Sequence, residues 1–223
     1  MVSKYTISIL GGTGKEGKGL AYRWVKSGHR VIIGSRKYEK ADDAANSVKE
    51  MLASDKDKII GLENREAAEK GDVLVLTVPY KAHKVMLDDL KDVINDKILI
   101  DVTVPLVPPK VTKVQMPEAG SASIEAQNIL GEKASVVAAF QNISYENLLD
   151  DNDVDCDVLV CGNKKDAREV VLGLVKDAGL VGWDAGVLDN AMVVEGLTSI
   201  LIGLNKKYGV KASGIRITGI DRE

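Results

Sequence analysis

The strongest chemical motif in this chain is a glycine-rich turn of the pattern G-x-G-x-x-G. Its residues are Gly12, Thr13, Gly14, Lys15, Glu16 and Gly17. In such a turn Gly12 permits a tight bend, Gly14 lets the backbone approach a diphosphate, and Gly17 allows close packing of a helix on a strand. The helix that follows presents free N–H groups and the positive end of its dipole to an anion. The motif therefore predicts a dinucleotide site, and the lack of a G-x-x-x-x-G-K-[ST] pattern argues against a nucleoside triphosphatase.

The residues at the end of the second predicted strand indicate which dinucleotide binds. A site for NAD places Asp or Glu roughly 20 residues after the glycines, where the carboxylate binds ribose hydroxyls. This chain instead has Gly34-Ser35-Arg36-Lys37. A hydroxyl and a guanidinium are donors for a 2′-phosphate, and no carboxylate repels it. The sequence therefore predicts NADP, with Ser35 and Arg36 as phosphate contacts. Lys37 and Lys40 fit phosphate contacts and solvated charges at a helix start equally well.

A third group of residues ends the predicted fourth strand. Thr77, Val78 and Pro79 follow a buried apolar run at the carboxyl edge, where open α/β sheets bind their ligands. We expect these residues to line the ribose and the nicotinamide. His83, one turn into the next helix, is expected to be solvated rather than catalytic. His29 is expected to be a turn residue without a role in the site.

Apolar strand-like runs alternate with helical patterns along most of the chain, which is typical of a sheet covered by helices on both faces. Seven strands are predicted, at residues 5–10, 30–34, 58–60, 72–78, 97–102, 134–139 and 157–161. Five helices are predicted, at residues 14–27, 38–53, 63–70, 80–95 and 189–207. Most strands are apolar at consecutive positions, as strands buried on both faces are. We therefore predict an α/β fold with a doubly wound parallel sheet.

Two segments leave alternatives open. The last helix carries an apolar stripe at helical spacing, formed by Met192, Val193, Leu197, Ile200, Leu201 and Leu204. We expect this stripe to pack in the core, with a homodimer interface as the alternative. The segment from Pro105 to Pro117 holds four of the five prolines, so it is a long loop. Such a loop is either part of the active site or dimer contact, or a simple connector.

Composition excludes several classes of protein. With 45% hydrophobic and 28% charged residues the chain is an ordinary soluble globular protein, and its net charge of −3 offers no attraction for nucleic acid or an anionic membrane. No apolar stretch is long enough to span a membrane. Cys156 and Cys161 are too few for a disulfide framework or a zinc site and are expected to be packing residues in a cytoplasmic protein. The acidic run 150–157 lacks the spacing of a calcium loop, so no metal site is predicted.

The chain resembles a known enzyme family, the F420H2:NADP oxidoreductases or NADPH-dependent F420 reductases. The matching stretches are Ile9-Leu10-Gly11-Gly12-Thr13-Gly14, Gly34-Ser35-Arg36, Thr77-Val78-Pro79, Asp184-Ala185-Gly186 and Glu195-Gly196-Leu197-Thr198. The resemblance spans nearly the whole chain, and the Gly-Ser-Arg turn combined with the C-terminal stretches is its most specific part. It implies hydride transfer between NADP(H) and the deazaflavin coenzyme F420 by a homodimer. It also implies that Thr13, Ser35, Arg36 and Lys40 contact the 2′-phosphate.

The same resemblance implies a division of the chain. An NADP-binding Rossmann domain would occupy residues 1–140, and a small C-terminal α/β part, residues 141–223, would contribute the second-substrate site and dimer contacts. Direct hydride transfer from nicotinamide C4 needs two close, stacked rings and neither a nucleophile nor a metal ion. For this reason no catalytic residue is assigned.

The chain departs from the family pattern in the loop after the sixth predicted strand. Ala139, Gln141 and Asn142 are expected beside the nicotinamide and the second coenzyme, and Gln141 stands where family members often carry His. A glutamine can still donate a hydrogen bond to the coenzyme ring. The departure leaves open an NADPH-dependent reductase of flavin, ferric chelates or another small acceptor. A non-catalytic NADP-sensing protein is the remaining alternative.

Overall fold

The computed structural model describes residues 4–149 and 154–222. The strands of its sheet are β1 (Thr6–Leu10), β2 (Arg30–Ser35), β3 (Ile59–Glu63), β4 (Val73–Leu76), β5 (Ile98–Asp101), β6 (Ser135–Ala138), β7 (Asp157–Gly162) and β8 (Val181–Asp184). The helices are α1 (Lys15–Lys26), α2 (Tyr38–Met51), α3 (Asn64–Lys70), α4 (Tyr80–Leu90), α5 (Ala122–Leu130), α6 (Tyr145–Leu148), α7 (Lys165–Asp177) and α8 (Ala191–Tyr208). Short 3₁₀ turns occur at Lys56–Lys58, Gly131–Lys133 and Leu188–Asn190.

The strands form one sheet in the order β3-β2-β1-β4-β5-β6-β7-β8. The first six are mutually parallel and follow the doubly wound order of a Rossmann fold. The predicted α/β fold is confirmed. The expectation of a fully parallel sheet is wrong at its end, because β7 runs antiparallel to β6, and β8 is parallel to β7. Between β6 and β7, the described residues 139–149 and 154–156 contain the four-residue α6 and no longer crossover helix. A parallel connection needs such a crossover, and β7 instead runs in the opposite direction to β6.

The register of the central strands aligns their carboxyl ends. Leu10 of β1 is opposite Leu76 of β4, Leu76 is opposite Asp101 of β5, and Asp101 is opposite Ala138 of β6. Each of these four residues is followed directly by a loop. The four loops therefore leave the sheet side by side along one edge, which is where an open α/β sheet binds its ligands.

Two apolar layers cover the faces of the sheet. On one face the core includes Trp24 of α1, whose indole Nε1 donates a 2.8 Å hydrogen bond to the carbonyl of Leu174 in α7. Phe140 meets the Trp24 ring edge-on, with the centroids 5.7 Å apart. On the other face, Leu87 and Ala126 from α4 and α5 pack against β4 and β5. The first layer thus joins helices from both halves of the chain.

The two cysteines and the two histidines all lie inside the protein. Cys156 and Cys161 are buried and unpaired, which confirms that they are packing residues. His29 is fully buried and is more than a turn residue, because its Nε2 lies 2.7 Å from Asp177 Oδ2. The expectation that His83 is solvated is wrong, since only 1% of it is exposed.

The apolar stripe of α8 does not behave as a core stripe. Met192, Val193, Ile200 and Leu204 are exposed, whereas Leu201 is buried. The expectation of core packing is therefore wrong for most of the stripe, because α8 lies at the edge of the fold and turns only one of its sides to α5 and the core. None of the helices in the described ranges is long and apolar enough to cross a membrane. Residues 150–153 of the acidic run lie outside the described residues.

Candidate active site

The glycine-rich turn leaves β1 and enters α1 through close backbone contacts. Gly11 has φ +68°, and its N–H donates to Asn64 Oδ1 at 3.0 Å. The N–H of Gly12 donates to the carbonyl of Gly34 at 3.0 Å, and a Cβ on Gly12 would lie 2.7 Å from the carbonyl oxygen of Ile9. The left-handed residue of the turn is therefore Gly11. Gly12 is required for close approach to β1 rather than for a positive φ.

The other two glycines of the motif occupy different surroundings. A Cβ on Gly17 would lie 2.6 Å from the Cα of Gly12, so Gly17 lets α1 pack directly on the turn. A Cβ on Gly14 would meet no atom within 4 Å. Gly14 is exposed and caps α1 without a side-chain hydrogen bond, so the first N–H groups of the helix face open space. This is the geometry expected where a helix start receives an anion.

A cleft of about 990 Å³ begins at this turn and follows the carboxyl edge of the sheet. The sequence-predicted residues that line it are Thr13, Gly14, Glu16, Thr77, Val78, Pro79, Gln141 and Asn142. The predicted residues outside its lining are Gly12, Lys15, Gly17, Ser35, Arg36, Lys40 and Ala139. The cleft thus joins three segments that are far apart in the chain, in agreement with the aligned strand ends.

Ser35 and Arg36 lie beyond the glycine turn at the end of β2. Ser35 is held near the glycine turn because the carbonyl of the preceding residue, Gly34, accepts a hydrogen bond from the N–H of Gly12. Ser35 is buried, whereas Arg36 and Lys40 are exposed. Within residues 4–149 and 154–222, neither Arg36 nor Lys40 forms an ion pair or a hydrogen bond through its side chain. Both cations are therefore available to an anionic group of a ligand.

The segment after β4 is fixed against the glycine turn. The N–H and the Oγ1 of Thr77 both donate to the carbonyl of Leu10, at 3.1 and 3.3 Å. A Cβ on Gly11 would lie only 2.3 Å from Cγ1 of Val78, so the two loops are in direct contact. Pro79 is the N-cap residue of α4, which begins at Tyr80. Thr77 and Val78 are thereby placed on the wall of the cleft.

The loop after β6 reaches the cleft through an unusual backbone conformation at Phe140. This residue lies two positions after the end of β6 and has φ +72°, a left-handed conformation that is uncommon for residues other than glycine. The Gln141 side-chain amide then donates a 2.8 Å hydrogen bond to the carbonyl of Asp101. This NH₂ group has a second N–H, so the expected hydrogen bond from Gln141 to a coenzyme ring stays a prediction. The Oε1 of Gln141, which is a hydrogen-bond acceptor, has no partner in the described structure.

Asn142 fastens the same loop to α8. Its Nδ2 donates to the carbonyl of Val194 at 3.0 Å and to Thr198 Oγ1 at 3.2 Å. The Thr198 hydroxyl in turn donates to the carbonyl of Gln141 at 2.8 Å. The loop after β6 and α8 therefore form one wall of the cleft.

Several lining residues were not predicted from the sequence. They come from the proline-rich loop, from α8 and from the segment after it, and include Leu106, Pro108, Val111, Thr198, Leu201, Ile202, Asn205, Lys211 and Ser213. The loop packs on α8, because a Cβ on Gly196 would lie 3.4 Å from Val114. The proline-rich loop is thus part of the cleft and not a simple connector. The apolar stripe of α8 was a sequence signal for these residues, because its Leu201 lines the cleft, but we expected the stripe to pack in the core.

A buried polar network supports the floor of the cleft. His83 Nε2 lies 2.8 Å from Asp101 Oδ2, and Asp101 Oδ1 accepts from the N–H of Thr103. Burial alone would lower the pKa of His83, but the hydrogen bond to Asp101 and the charge of that carboxylate raise it. Glu195 of α8 accepts hydrogen bonds from the start of α5, and burial together with the charge of Asp101 raises the pKa of Glu195 to about 7. These groups hold the surrounding elements in place.

Part of the chain matches a known protein-family model. Residues 6–105 match the family described as NADP oxidoreductase, coenzyme F420-dependent. The matched region contains the glycine turn, the Ser35-Arg36 segment and the end of β4. It therefore covers the half of the cleft that is built on the first five strands.

Two curated relatives extend the similarity to nearly the whole chain. The F420-dependent NADP reductase of Methanocaldococcus jannaschii is 45% identical over 222 residues, which cover 96% of this chain and 99% of that protein. The F420-dependent NADP reductase of Methanothermobacter thermautotrophicus is 42% identical over 224 residues, covering 97% of this chain and 96% of that protein. The similarity therefore includes the loop after β6, α8 and the C-terminal segment.

A crystal structure shows the same fold. That of a putative F420-dependent NADP reductase from Arthrobacter sp. FB24 superposes with a TM-score of 0.79 at 23% sequence identity, and the match covers 96% of this chain and 99% of that one. At this level of identity the agreement concerns the fold.

Proposed function

The chain belongs to the family of F420-dependent NADP oxidoreductases, and we propose on that basis that it transfers a hydride between NADP(H) and coenzyme F420. The observation that carries the proposal is the single cleft of about 990 Å³ that extends from the glycine turn to α8. This volume is at the upper end of the range for small-molecule sites. One cleft of this volume can hold the reactive ends of two coenzymes in contact.

The NADP end of the site is built by the glycine turn and the end of β2. The open space beside Gly14 and the free N–H groups of α1 suit a diphosphate. Arg36 and Lys40 are exposed cations without partners in the described chain, and Ser35 and Thr13 offer hydroxyls. These four side chains would hold the 2′-phosphate, because a charge-assisted hydrogen bond to phosphate is stronger than a neutral one.

The nicotinamide end lies further along the carboxyl edge of the sheet. Thr77, Val78 and Pro79 would line one side of the nicotinamide ribose, and Gln141 and Asn142 the other, while the buried Ala139 would support the loop from behind. The fit is supported by two buried side-chain oxygens without partners, Gln141 Oε1 and Asn142 Oδ1. A buried acceptor without a partner costs free energy that a ligand N–H group can recover.

The nicotinamide and the deazaflavin supply the redox chemistry, since a hydride leaves C4 of one ring and is accepted by the other. The contribution of the chain is to hold the two rings together and to keep water away from them. Leu106 and Val111 of the proline-rich loop, with Leu201 and Ile202 of α8, give the second half of the cleft an apolar wall. An apolar wall of this kind suits a flat aromatic ring.

We further propose a division of labour within the chain. Residues 1–140 would bind NADP, and residues 141–223 would complete the second-coenzyme site. The exposed apolar residues of α8, together with Val107 and Val114 of the proline-rich loop, would form a homodimer contact, since a continuous apolar patch marks an interface. The two unpaired cysteines suit a reducing cytoplasm.

The proposal is tested by offering the protein NADPH with one acceptor at a time. The acceptors are F420, FMN and a ferric chelate. We expect rapid loss of the visible absorbance of F420 and slow or no reduction of the other two. Rapid reduction of FMN or iron with F420 left oxidised would reject F420 as the substrate. Tight NADPH binding without turnover on any acceptor would show a nucleotide sensor instead of an enzyme.

A further inference from the structure

Lys211 is a cationic residue in the half of the cleft that is built by α8 and the segment after it. It lines the cleft together with Asn205 and Ser213. Its side chain is exposed and forms no hydrogen bond or ion pair within the described part of the chain. Among the described residues of the cleft lining, only Lys81 carries another positive charge. The ammonium group of Lys211 is therefore available to an anionic group of a ligand.

The segment that carries Lys211 is folded back onto the end of α8. The carbonyl of Asn205 accepts from the N–H of Val210 at 3.1 Å. The side-chain amide of Asn205 donates to the carbonyl of Lys211 at 3.2 Å and accepts from the N–H of Ser213 at 3.0 Å. The Ser213 hydroxyl donates to the carbonyl of Leu201 at 3.1 Å. The main chain of Lys211 is thus fixed beside the cleft, and only its side chain has to be ordered by a ligand.

The charge of this part of the chain is positive, although the net charge of the whole chain is −3. Residues 196–220 contain no Asp or Glu, and their cationic residues are Lys206, Lys207, Lys211 and Arg216. Arg216 is paired with Asp155 at 3.0 Å, whereas the three lysines form no ion pair within the described residues. An anion that approaches this end of the cleft therefore meets an attractive field.

The geometry of α8 places Lys211 at a distance from the reacting rings. Thr198 donates to the carbonyl of Gln141, in the loop proposed to lie beside the nicotinamide. The helical rise from Thr198 to Asn205, which holds the Lys211 segment, is about 10 Å. Leu201 lies between them and belongs to the apolar wall that suits the deazaflavin ring. An anion bound by Lys211 would therefore be joined to that ring by a linker and would not be part of it.

Coenzyme F420 carries an anionic group of this kind. A ribityl chain joins its deazaflavin ring to a phosphodiester, and a lactyl group and a glutamate tail follow. An extended ribityl chain is comparable in length to the rise of α8 between Thr198 and Asn205. A phosphodiester oxygen accepts a charge-assisted hydrogen bond from a lysine ammonium group. The phosphodiester is therefore the part of F420 that matches the position and the charge of Lys211.

We propose that Lys211 binds the phosphodiester of F420 and forms an anion site separate from the one proposed for the 2′-phosphate of NADP. The inference rests on the proposed function, since it assumes that F420 occupies the half of the cleft beside α8. Its consequence is that the cleft distinguishes F420 from deazaflavins that lack the charged side chain. The ring supplies the redox chemistry, and Lys211 contributes to the affinity for the coenzyme.

The test is steady-state kinetics with NADPH and either F420 or FO, the deazaflavin whose ribityl chain ends in a hydroxyl group. Lys211→Gln removes the charge, so kcat/KM for F420 should fall about fivefold, as for loss of an exposed charged contact. For FO it should change little, because FO offers no anion. Lys211→Arg keeps a cation and should retain kcat/KM for F420. Lys206→Gln removes the same charge from an exposed position outside the cleft lining and should follow the wild type.

The ionic strength gives a second readout. Added salt should raise the KM of the wild-type protein for F420 more than that of Lys211→Gln, because salt screens an exposed ion pair. A form of F420 without glutamates should respond to Lys211→Gln as F420 does. If it responds as FO does, the glutamate carboxylates are bound and the assignment of the phosphodiester is wrong.

Three results would overturn the inference while leaving the proposed function intact. They are an unchanged kcat/KM for F420 in Lys211→Gln, an equal loss for F420 and FO in that variant, and an equal loss for F420 in Lys206→Gln. The last result would show a general effect of charge and no direct contact. Failure of the wild-type protein to reduce either deazaflavin would reject the proposed function itself.

Discussion

The side-chain amide of Gln141 donates a 2.8 Å hydrogen bond to the main-chain carbonyl of Asp101. This bond joins the ends of two adjacent parallel strands, β6 and β5, at the point where both enter the cleft. Asp101 uses its carboxylate at the same time to hold Thr103 and His83. The floor of the cleft is therefore one connected network and not a set of independent loops.

Replacing Gln141 tests that network. Gln141→Leu removes the 2.8 Å bond and leaves the carbonyl of Asp101 with only the longer hydrogen bond from the N–H of Ala139, at 3.4 Å. We therefore expect the free energy of unfolding to fall by about 1 kcal/mol. The loop after β6 would lose its fixed position, and kcat should fall more than the KM for NADPH rises. Urea denaturation and steady-state kinetics measure the two effects. Unchanged stability and unchanged kcat would show that the bond does not organise the site.

Gly14→Val tests the assignment of the glycine turn. Since Gly14 has ordinary backbone angles and a Cβ there meets no protein atom within 4 Å, the variant should fold normally. Its side chain would occupy the space assigned to the diphosphate, so NADPH affinity should fall by about a hundredfold or more, as for loss of several charge-assisted contacts. Gly173→Val is the matched control, because its Cβ also meets nothing and it lies on α7, outside the cleft lining. Fluorescence titration with NADPH that shows equal affinity in both variants would refute the assignment.

Arg36→Asp tests the recognition of the 2′-phosphate. The change removes a cation and adds a negative charge, so we expect NADPH binding to weaken by about a hundredfold or more and NADH binding to change little. Lys133→Asp makes the same change of charge at an exposed position after α5 and should affect neither ligand. Calorimetry with both dinucleotides gives the comparison. If Arg36→Asp weakened both equally, the argument for NADP selectivity would be lost.

The carboxyl group of Glu16, whose Oε1 is buried without a hydrogen-bond partner, predicts how stability depends on pH. Burial raises the pKa of Glu16 to about 8 from its ordinary value of 4.5, so the folded protein keeps a proton that the unfolded chain releases between these values. The stabilisation from this group is complete below about pH 4.5 and decreases as pH rises to about 8. Glu16→Gln lacks this decrease, so its stability relative to the wild type should rise over that interval. Urea unfolding near pH 5 and near pH 8.5 measures the difference, and an equal difference at both values would contradict the prediction.

The exposed stripe of α8 predicts the oligomeric state. If Val193 and Ile200 form a homodimer contact, replacing both with Asp should convert the protein to a monomer, because burying two unpaired charges in an interface is strongly unfavourable. Val85→Asp introduces a charge at an exposed apolar residue of α4 and should leave the dimer intact. Light scattering coupled to size-exclusion chromatography reports the mass. A wild-type protein that is a monomer at all concentrations, or a double variant that remains dimeric, would place the contact elsewhere or exclude it.

The sequence predicted all six parallel strands and the glycine turn because these depend on local patterns. Continuous apolar runs mark buried strands, and Gly12, Gly14 and Gly17 occur at the spacing that backbone contact requires. The direction of β7 was not predictable in the same way, since it depends on how the chain between β6 and β7 returns. Strand β8 was missed because Val181–Asp184 contains a glycine and an acidic residue and is only half-buried.

Two helices and one histidine show further limits. Neither α5 nor α7 was predicted. Helix α5 is short and follows the proline-rich loop, so its pattern is weak. Helix α7 has a clear apolar face, with Ala167, Val171 and Leu174 buried, and was overlooked. The burial of His83 depends on Asp101, a residue of another element, and a pairing of this kind has no local pattern. The same reason explains why the cleft residues of the C-terminal segment escaped prediction.

The central claim is that both coenzymes lie in one cleft and exchange a hydride directly. It is tested most directly with NADPH that carries deuterium at both C4 positions, mixed with oxidised F420 and the protein in ordinary water. Mass spectrometry of the reduced F420 should find one deuterium in each molecule, because a directly transferred hydride does not exchange with solvent. Reduced F420 without deuterium, or F420 that keeps its visible absorbance, would contradict the account.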